Sequence, residues 1–456
     1  MDTGFTLQQV LAVAKLHPLY NPDVVYPPTP TDVSQIAREA ECNNGTDIDL
    51  SAVPLSTKET LYPTLNRLFS DTSAQNTFRT AAYISTTGGG SGGLPMVFAT
   101  DVIENRNHRA AAGALAKACG LIEPGDVILT MHVSGALYRS LNLMTEIFEM
   151  AGGTVFCAGH KMTMPVVIEA IIKYKVNVIS GDGSQVLYFA NFVAGLPDAE
   201  RSKINISKVI YTSDPLNTTQ RRHVSSALGA RIFSIIGSCE AGAWGVANME
   251  LTGEPDEGVD FIFDTRMIRM EILPASIMEN PGQKPNSLPD GEAGIIVQTS
   301  LSRLRNPLIR YISGDMGCLR PFPREKFANM DTEHLKVVRV YGRDRRFSFK
   351  WFGEYFEFAR IRDIIQKTEE WGVLQYQIIL ENVENEESQL ELRLYRSKMV
   401  EGPVLEAAIR TRLEGFFVVF EQNRHLFKVT FIDAVDEFER SKTGSKVMNF
   451  VDRRAH

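Results

Sequence analysis

The sequence predicts an α/β protein in two unequal parts, a large N-terminal domain and a small α+β C-terminal module. Three observations lead there. Helical stretches alternate with short apolar strands from Ala81 to about Arg231, the mark of crossover units and largely parallel sheets. The character turns to β from about Phe261 to Leu319, as in a smaller barrel-like unit. A second shift falls near Gly342-Arg343-Asp344-Arg345-Arg346, beyond which helices and strands mix again. At 456 residues the chain exceeds what one core supports, so two or three domains are expected.

The elements follow in order. Phe5 to Lys15 is amphipathic and reads as a helix. Tyr26-Pro27-Pro28-Thr29-Pro30 breaks structure, and Thr31-Asp32 can cap a helix through Arg38. Pro54-Leu55-Ser56-Thr57-Lys58-Glu59 reads as an apolar turn feeding another capped helix. In the alternating region, Arg106–Cys119, Leu137–Ala151 and Pro165–Tyr174 are helical, while Asp126–Thr130, Thr154–Cys157, Val176–Ser180 and Lys208–Tyr211 are strands. Glu292–Thr299 and Pro307–Ile312 are strands of the barrel-like unit. The last module reads as helix (Ala359–Thr368), strands (Gln375–Leu380, Gln389–Tyr395), helix (Val404–Leu413) and strand (Lys428–Ile432). No internal repeat and no low-complexity tract is visible.

Composition narrows the function classes. Hydrophobic content of 44% and charged content of 23% are those of an ordinary soluble protein. A net charge of −7 with no basic run points away from nucleic acid and anionic membranes. No secretory signal and no membrane-spanning stretch are seen. Five scattered cysteines, Cys42, Cys119, Cys157, Cys239 and Cys318, have no metal-ligand spacing and fit a reducing compartment. A cytoplasmic protein is expected, monomeric or homodimeric, with no nucleic-acid or membrane partner.

The run Ser85-Thr86-Thr87-Gly88-Gly89-Gly90-Ser91-Gly92-Gly93-Leu94-Pro95 follows the strand-like Ala81-Ala82-Tyr83-Ile84. Such a loop offers backbone N–H groups and hydroxyls without side-chain bulk, as a polyphosphate needs. It serves equally as a flexible surface loop. Four further features follow it: Tyr211-Thr212-Ser213-Asp214-Pro215 at a strand end; Ile235-Ile236-Gly237-Ser238-Cys239-Glu240; Arg310-Tyr311-Ile312-Ser313-Gly314-Asp315-Met316-Gly317; and Gly342-Arg343 paired with Thr443-Gly444-Ser445-Lys446.

This ordered set resembles the adenylate-forming superfamily, and within it the phenylacetate–CoA ligase branch. Leu16-His17-Pro18-Leu19-Tyr20, Ile122-Glu123-Pro124-Gly125-Asp126-Val127, Ala151-Gly152-Gly153-Thr154-Val155 and Asn306-Pro307-Leu308-Ile309-Arg310-Tyr311 extend it over nearly the whole chain. The resemblance implies a large domain of stacked mixed sheets with helices and a small barrel-like element over 1–342. A small mobile lid domain would occupy 343–456.

The resemblance also assigns roles. A carboxylate would attack the α-phosphate of ATP, giving an acyl-adenylate and pyrophosphate, so the protein mainly positions reactants and neutralises charge. Ser85, Thr86, Thr87, Gly88, Gly89, Gly90, Ser91 and Gly92 would hold phosphates. Glu240 would bind Mg²⁺ bridging phosphate oxygens; otherwise it is a solvated or helix-capping glutamate. Asp315 would accept hydrogen bonds from the ribose hydroxyls, unless it is an ordinary turn aspartate. Arg343 would reach the same ribose, or be a surface arginine in a basic cluster. Lys446 would swing in from the lid to the carboxylate and the α-phosphate. Ser213, Asp214 and Pro215 would edge the adenine, beside Ile236, Gly237, Ser238 and Cys239. The acid would lie among His132, Val133, Ser134, Gly181, Asp182, Ile236 and Gly237, with His132 contacting its carboxylate or an aryl group, although a lone histidine is more often a satisfied structural residue.

The chain departs from the pattern at several points. Ser91-Gly92 stands where adjacent threonines are usual, Ile236 where an aromatic residue stacks on adenine, and Cys239 where a hydroxyl precedes the glutamate. The stretch from Gly342 to Gly353 carries about one extra residue, and Lys446 follows Gly444 one place late. The resemblance implies thioester formation with CoA as the leading second step. An amine or carrier-protein acceptor is one alternative, and a non-catalytic nucleotide-binding protein is another.

Overall fold

The computed structural model describes residues 4–42, 50–86, 97–135, 137–213, 216, 218–255, 257–278, 285–327, 332–343, 348–366, 369–383, 387–396, 403–434, 437–439 and 447–454. Contacts divide the chain into two units: Met1–Thr86 with Val97–Arg343, and Asp344–His456.

In the first unit the strands are β1 (Ala82–Thr86), β2 (Val97–Asp101), β3 (Val127–Thr130), β4 (Thr154–Cys157), β5 (Val178–Asp182), β6 (Lys208–Thr212), β7 (Arg231–Ser238), β8 (Gly242–Asn248), β9 (Val259–Asp264), β10 (Ile268–Leu273), β11 (Gly294–Ser300), β12 (Tyr311–Arg320) and β13 (Leu335–Arg343). β1 and β2 pair as a separate antiparallel ribbon. The others form one eleven-stranded sheet in the order β10-β11-β12-β13-β9-β8-β7-β6-β5-β3-β4. From β4 to β7 neighbouring strands run parallel, and beyond β7 they are antiparallel. The segment read as a barrel-like unit continues this ladder, joined through the pairing of Val246 with Ile262.

The central parallel strands β3, β5 and β6 are buried on both faces, and their side chains alternate between two cores; β4, at the sheet edge, is partly exposed. Ile128, Val178 and Ile210 join Ala112, Leu115, Ile147 and Phe148 of helices Val102–Ala118 and Ser140–Met150. Leu129, Ile179 and Val209 point the other way, to Val167, Ile171, Phe189 and Val224 of helices Met164–Tyr174, Gly183–Ala194 and Thr218–Leu228. Two-sided burial is why these strands read as continuous apolar runs. Strand order reverses at β3, whose neighbours are β4 and β5. The topological switch point therefore falls at the carboxyl ends of β3 and β5, the usual binding place in such sheets.

Several elements differ from the sequence reading. The second helix spans Pro30–Cys42, and its cap lies at Thr29: the Thr29 N–H donates to Asp32 (3.0 Å) and the Asp32 N–H to the Thr29 hydroxyl (3.2 Å). Pro30 thus takes the first helical position, where a missing N–H costs nothing. The helix expected from Arg106 starts at Val102, because the Asp101 carboxylate caps the N–H groups of Ile103 and Glu104. The helix expected from Leu137 starts at Ser140, after a turn with positive φ at Gly135 and Leu137. Pro307–Arg310 are not strand; β12 begins at Tyr311.

In the second unit, β14 (Ser348–Trp351) and β15 (Glu354–Glu357) form a hairpin. β16 (Val373–Glu381), β17 (Gln389–Arg396), β18 (Phe427–Ile432) and β19 (Phe450–Asp452) form a sheet in the order β18-β17-β16-β19. Its core joins Ile378, Leu392 and Leu394 to Ile361, Ile365, Ile409 and Leu413 of helices Phe358–Gln366 and Pro403–Phe416, with Trp351, Phe356 and Phe417 around them.

Gly113 shows how tightly the first face is packed. A Cβ there would stand 2.7 Å from the Ile147 carbonyl and 2.9 Å from the Met150 Cβ. Gly113→Val is expected to lose about 1–3 kcal/mol by forcing the two helices apart. The urea midpoint checks this, and an unchanged midpoint contradicts the close helix approach.

Candidate active site

The site is built around the tip of the β7–β8 hairpin. Cys239, Glu240 and Ala241 form the turn, with the Ala241 N–H donating to the Ser238 hydroxyl at 3.0 Å. Two glycines permit its path. Gly242 has φ +75°, and a Cβ there would lie 2.4 Å from the His108 ring; a Cβ on Gly237 would lie 2.7 Å from the Gly242 carbonyl.

Four elements converge on this tip. The end of β1 is clasped to it: the Ser85 hydroxyl donates to the Cys239 carbonyl (2.8 Å) and the Cys239 thiol to the Thr86 carbonyl (2.7 Å). The Thr86 hydroxyl in turn donates to the Leu137 carbonyl (2.9 Å). From below, the buried Arg303 donates to the main-chain carbonyls of Glu240 and Ala99 and to the Thr100 hydroxyl. From β12, the Tyr311 phenol donates to Glu240 Oε1 at 3.0 Å. Lys58 Nζ stands 3.9 Å from the same oxygen.

Lys58 is placed by local structure. It opens helix Lys58–Ser70, whose N-cap Thr57 exchanges hydrogen bonds with Thr60. Ser56 is stitched alongside β12, its N–H donating to the Arg310 carbonyl and its carbonyl accepting from the Ile312 N–H, both at 2.9 Å. The same segment lines a cavity of about 880 Å³ beneath the N-terminal helix Leu7–Ala14, bounded by Leu11, Lys15, Tyr20, Pro54 and Ile309.

Glu240 is 5% exposed, yet both of its side-chain contacts fall on Oε1. Among the described residues Oε2 has no hydrogen-bond partner. No cluster of three or more His, Cys, Asp or Glu occurs among the described residues. One carboxylate oxygen without a protein cage fits a divalent ion held chiefly by phosphate oxygens.

β12 carries the next candidate four residues on. Asp315 is half-buried, its N–H donating to the Ser313 hydroxyl at 3.1 Å. The β12–β13 register sets Asp315 directly opposite Arg343. Two residues remote in sequence thus occupy paired backbone positions.

At the carboxyl ends of β3 and β5, the expected acid-site residues have structural work. His132 is buried, with Nδ1 at 2.8 Å from the Thr130 hydroxyl and Nε2 at 3.0 Å from the Thr212 hydroxyl. Both ring nitrogens are satisfied, so the polar substrate contact expected of His132 has no nitrogen to use; the ring instead braces the end of β6 ahead of Ser213. Ser213 has φ +68°, a sharp left-handed exit. Asp182 caps helix Gly183–Ala194 in a reciprocal pair with Gln185. Gly181 faces Gln185, whose Oε1 would lie 2.9 Å from an added Cβ. Val133 offers its carbonyl to the Ser140 hydroxyl and the Leu141 N–H, and Ser134 is exposed. Ile236 packs over Gly245 in the β7–β8 ladder. Thr87 to Gly92, Asp214, Pro215 and Lys446 lie outside the described residues.

Sequence reasoning missed Arg303, Tyr311 and Lys58. The capped start of the helix at Lys58 was visible, but no periodicity signals a partner in a hairpin far along the chain.

No family model matches the chain. The indoleacetate–lysine synthetase of Pseudomonas savastanoi is 25% identical over 260 residues, which are 55% of this chain and 54% of that protein. The chain thus spans about half the length of the curated relative it matches. Among solved structures, 2-hydroxyisobutyryl-CoA ligase, in complex with 2-HIB-AMP and CoA in its thioesterification state, superposes with a TM-score of 0.64 at 17% identity, covering 98% of this chain and 87% of that one. The o-succinylbenzoate CoA synthetase of Bacillus subtilis, bound to a product analogue, gives 0.51 at 14% identity, over 84% and 73%. The chain has the fold of the adenylate-forming ligases, with a separate C-terminal unit. Among the described residues, no helix is long and apolar enough to cross a membrane.

The buried ionisable groups set a pH dependence. Burial lowers the pKa of His17, His108 and His132 to about 4 each. Unfolded, they take up protons near pH 6.5, so their stabilising contribution is full above that pH and is lost as pH falls towards 4. Glu104 acts oppositely: burial raises it from 4.5 to about 7, so its contribution is present at low pH and fades as pH rises through 7. Three imidazoles outweigh one carboxyl, and the melting temperature is expected to fall between pH 6.5 and pH 5. The fall is expected to be shallower in His132→Gln; an equally steep fall contradicts a neutral, buried His132.

Proposed function

We propose that the protein is an ATP-dependent ligase that activates a carboxylic acid as its acyl-adenylate. The carrying observation is the convergence at one hairpin tip. The root of the glycine-rich run and Tyr311 at the start of β12 both touch that tip beside the Glu240 carboxylate, and β12 goes on to Asp315, which pairs with Arg343 of β13. Those are the groups needed for the phosphates, a divalent cation and the ribose of one nucleotide.

In this reading the substrate carboxylate oxygen attacks the α-phosphorus of ATP; the new O–P bond forms as the bond to the β-phosphate oxygen breaks and pyrophosphate leaves. The glycine-rich run between Thr86 and Leu94 cradles the phosphates with main-chain N–H groups. Glu240 holds Mg²⁺, which, when bound, supplies positive charge to the departing pyrophosphate. Asp315 and Arg343 fix the ribose, and Ser213 with its neighbours Asp214 and Pro215 edges the adenine. Lys446 neutralises the charge developing between carboxylate and α-phosphate, which requires the C-terminal unit, Asp344–His456, to act as a lid turning near Arg343.

Thioester formation with CoA is the leading second step, supported by the CoA ligases that share the fold. A second reading, amide formation with an amine, is favoured by the 25% identity to indoleacetate–lysine synthetase.

A panel of aromatic and aliphatic acids tests the first step through acid-dependent pyrophosphate release. At least one acid is expected to trigger release, and Lys446→Ala to slow it by about 100-fold or more with an unchanged melting temperature. Adding CoA or free amino acids then separates a thioester product from an amide by mass. Nucleotide binding without release for any acid would favour a non-catalytic role, and an unimpaired Lys446→Ala would remove that residue from the mechanism.

A further inference from the structure

We infer that Tyr311 is a positioning residue that decides which oxygen of Glu240 is left for the divalent cation. The inference rests on the reading of Glu240 given above and deepens it. A carboxylate at a hairpin tip can turn about its last bond and present either oxygen. Here one oxygen is spoken for: the Tyr311 phenol donates to Oε1 at 3.0 Å, and Lys58 stands beside the same atom.

The phenol has little freedom to follow a moving carboxylate. Tyr311 is 2% exposed. Its backbone is clamped on both sides, paired with Gln298 of β11 and bridged to Ser56. The other end of Glu240 is fixed too, because Arg303 holds its main-chain carbonyl. With carbonyl and Oε1 both tied, Oε2 keeps one direction. Supporting partners of this kind orient metal-binding side chains elsewhere, and their loss typically costs about 10–100-fold in metal affinity. β12 also carries Asp315, so one strand sets both the cation oxygen and the ribose candidate.

The test uses the full chain with Mn²⁺ and a non-hydrolysable ATP analogue, reading bound Mn²⁺ by electron paramagnetic resonance and metal-free nucleotide affinity by calorimetry. Tyr311→Phe keeps the ring and removes the hydroxyl. It is expected to weaken Mn²⁺ binding about tenfold or more while leaving metal-free nucleotide affinity and melting temperature unchanged, a split that a purely structural tyrosine would not give. Glu240→Gln is expected to abolish the Mn²⁺ signal. If Glu240→Gln loses Mn²⁺ and Tyr311→Phe does not, the role of Tyr311 is overturned and that of Glu240 stands; if neither variant changes, both fall. Should Tyr311→Phe fail to fold, Glu240→Asp draws the carboxylate away from the phenol and is expected to give the same loss, and wild-type Mn²⁺ affinity in it overturns the inference.

Discussion

A buried carboxylate at a hairpin tip is the constraint around which the first unit is organised. Glu240 sits where a charge is expensive unless its partners are fixed. Tyr311 supplies a hydrogen bond to the carboxylate, Lys58 a nearby positive charge, and Arg303 a hold on the main chain. Lys58 and the segment from Arg303 to Tyr311 are both remote in sequence from Glu240, so the site exists only once the unit has folded. The glycines at 237 and 242 let the turn pass close to its own ladder and to His108.

The departures from the adenylate-forming pattern gain a physical meaning here. Cys239 does not simply replace a hydroxyl aimed at a ligand; its thiol donates to the Thr86 carbonyl and closes a two-bond clasp with Ser85. A weak donor suffices for that task because its partner is a fixed carbonyl. Ile236 fills the ladder beside Gly245 and brings apolar surface, without a ring face, to the strand end.

Much of the fold was legible in the sequence, and the reasons are local. The parallel strands at Val127, Val178 and Lys208 stood out because burial on both faces writes apolar runs. The strand expected over Pro307–Ile312 began late: ahead of Tyr311, Arg310 turns inward to Glu271 and to the carbonyls of Ser51 and Val53, with φ +42°. Of the site, Glu240, Asp315 and the root of the glycine-rich run could be named from motifs. The tasks of His132 and Asp182 could not, because hydrogen bonds to Thr212 and Gln185 do not show as a pattern. Tyr311, Arg303 and Lys58 were beyond reach for a related reason: what selects them is proximity to one carboxylate after folding.

The most direct test of the account is a crystal structure of the protein with Mn²⁺ and a non-hydrolysable ATP analogue, with the metal located by anomalous scattering. The account predicts a manganese peak at bonding distance from Glu240 Oε2, phosphates against the glycine-rich run after Thr86, and ribose hydroxyls on Asp315. Nucleotide bound in a cavity that touches neither Glu240 nor Asp315 would contradict it.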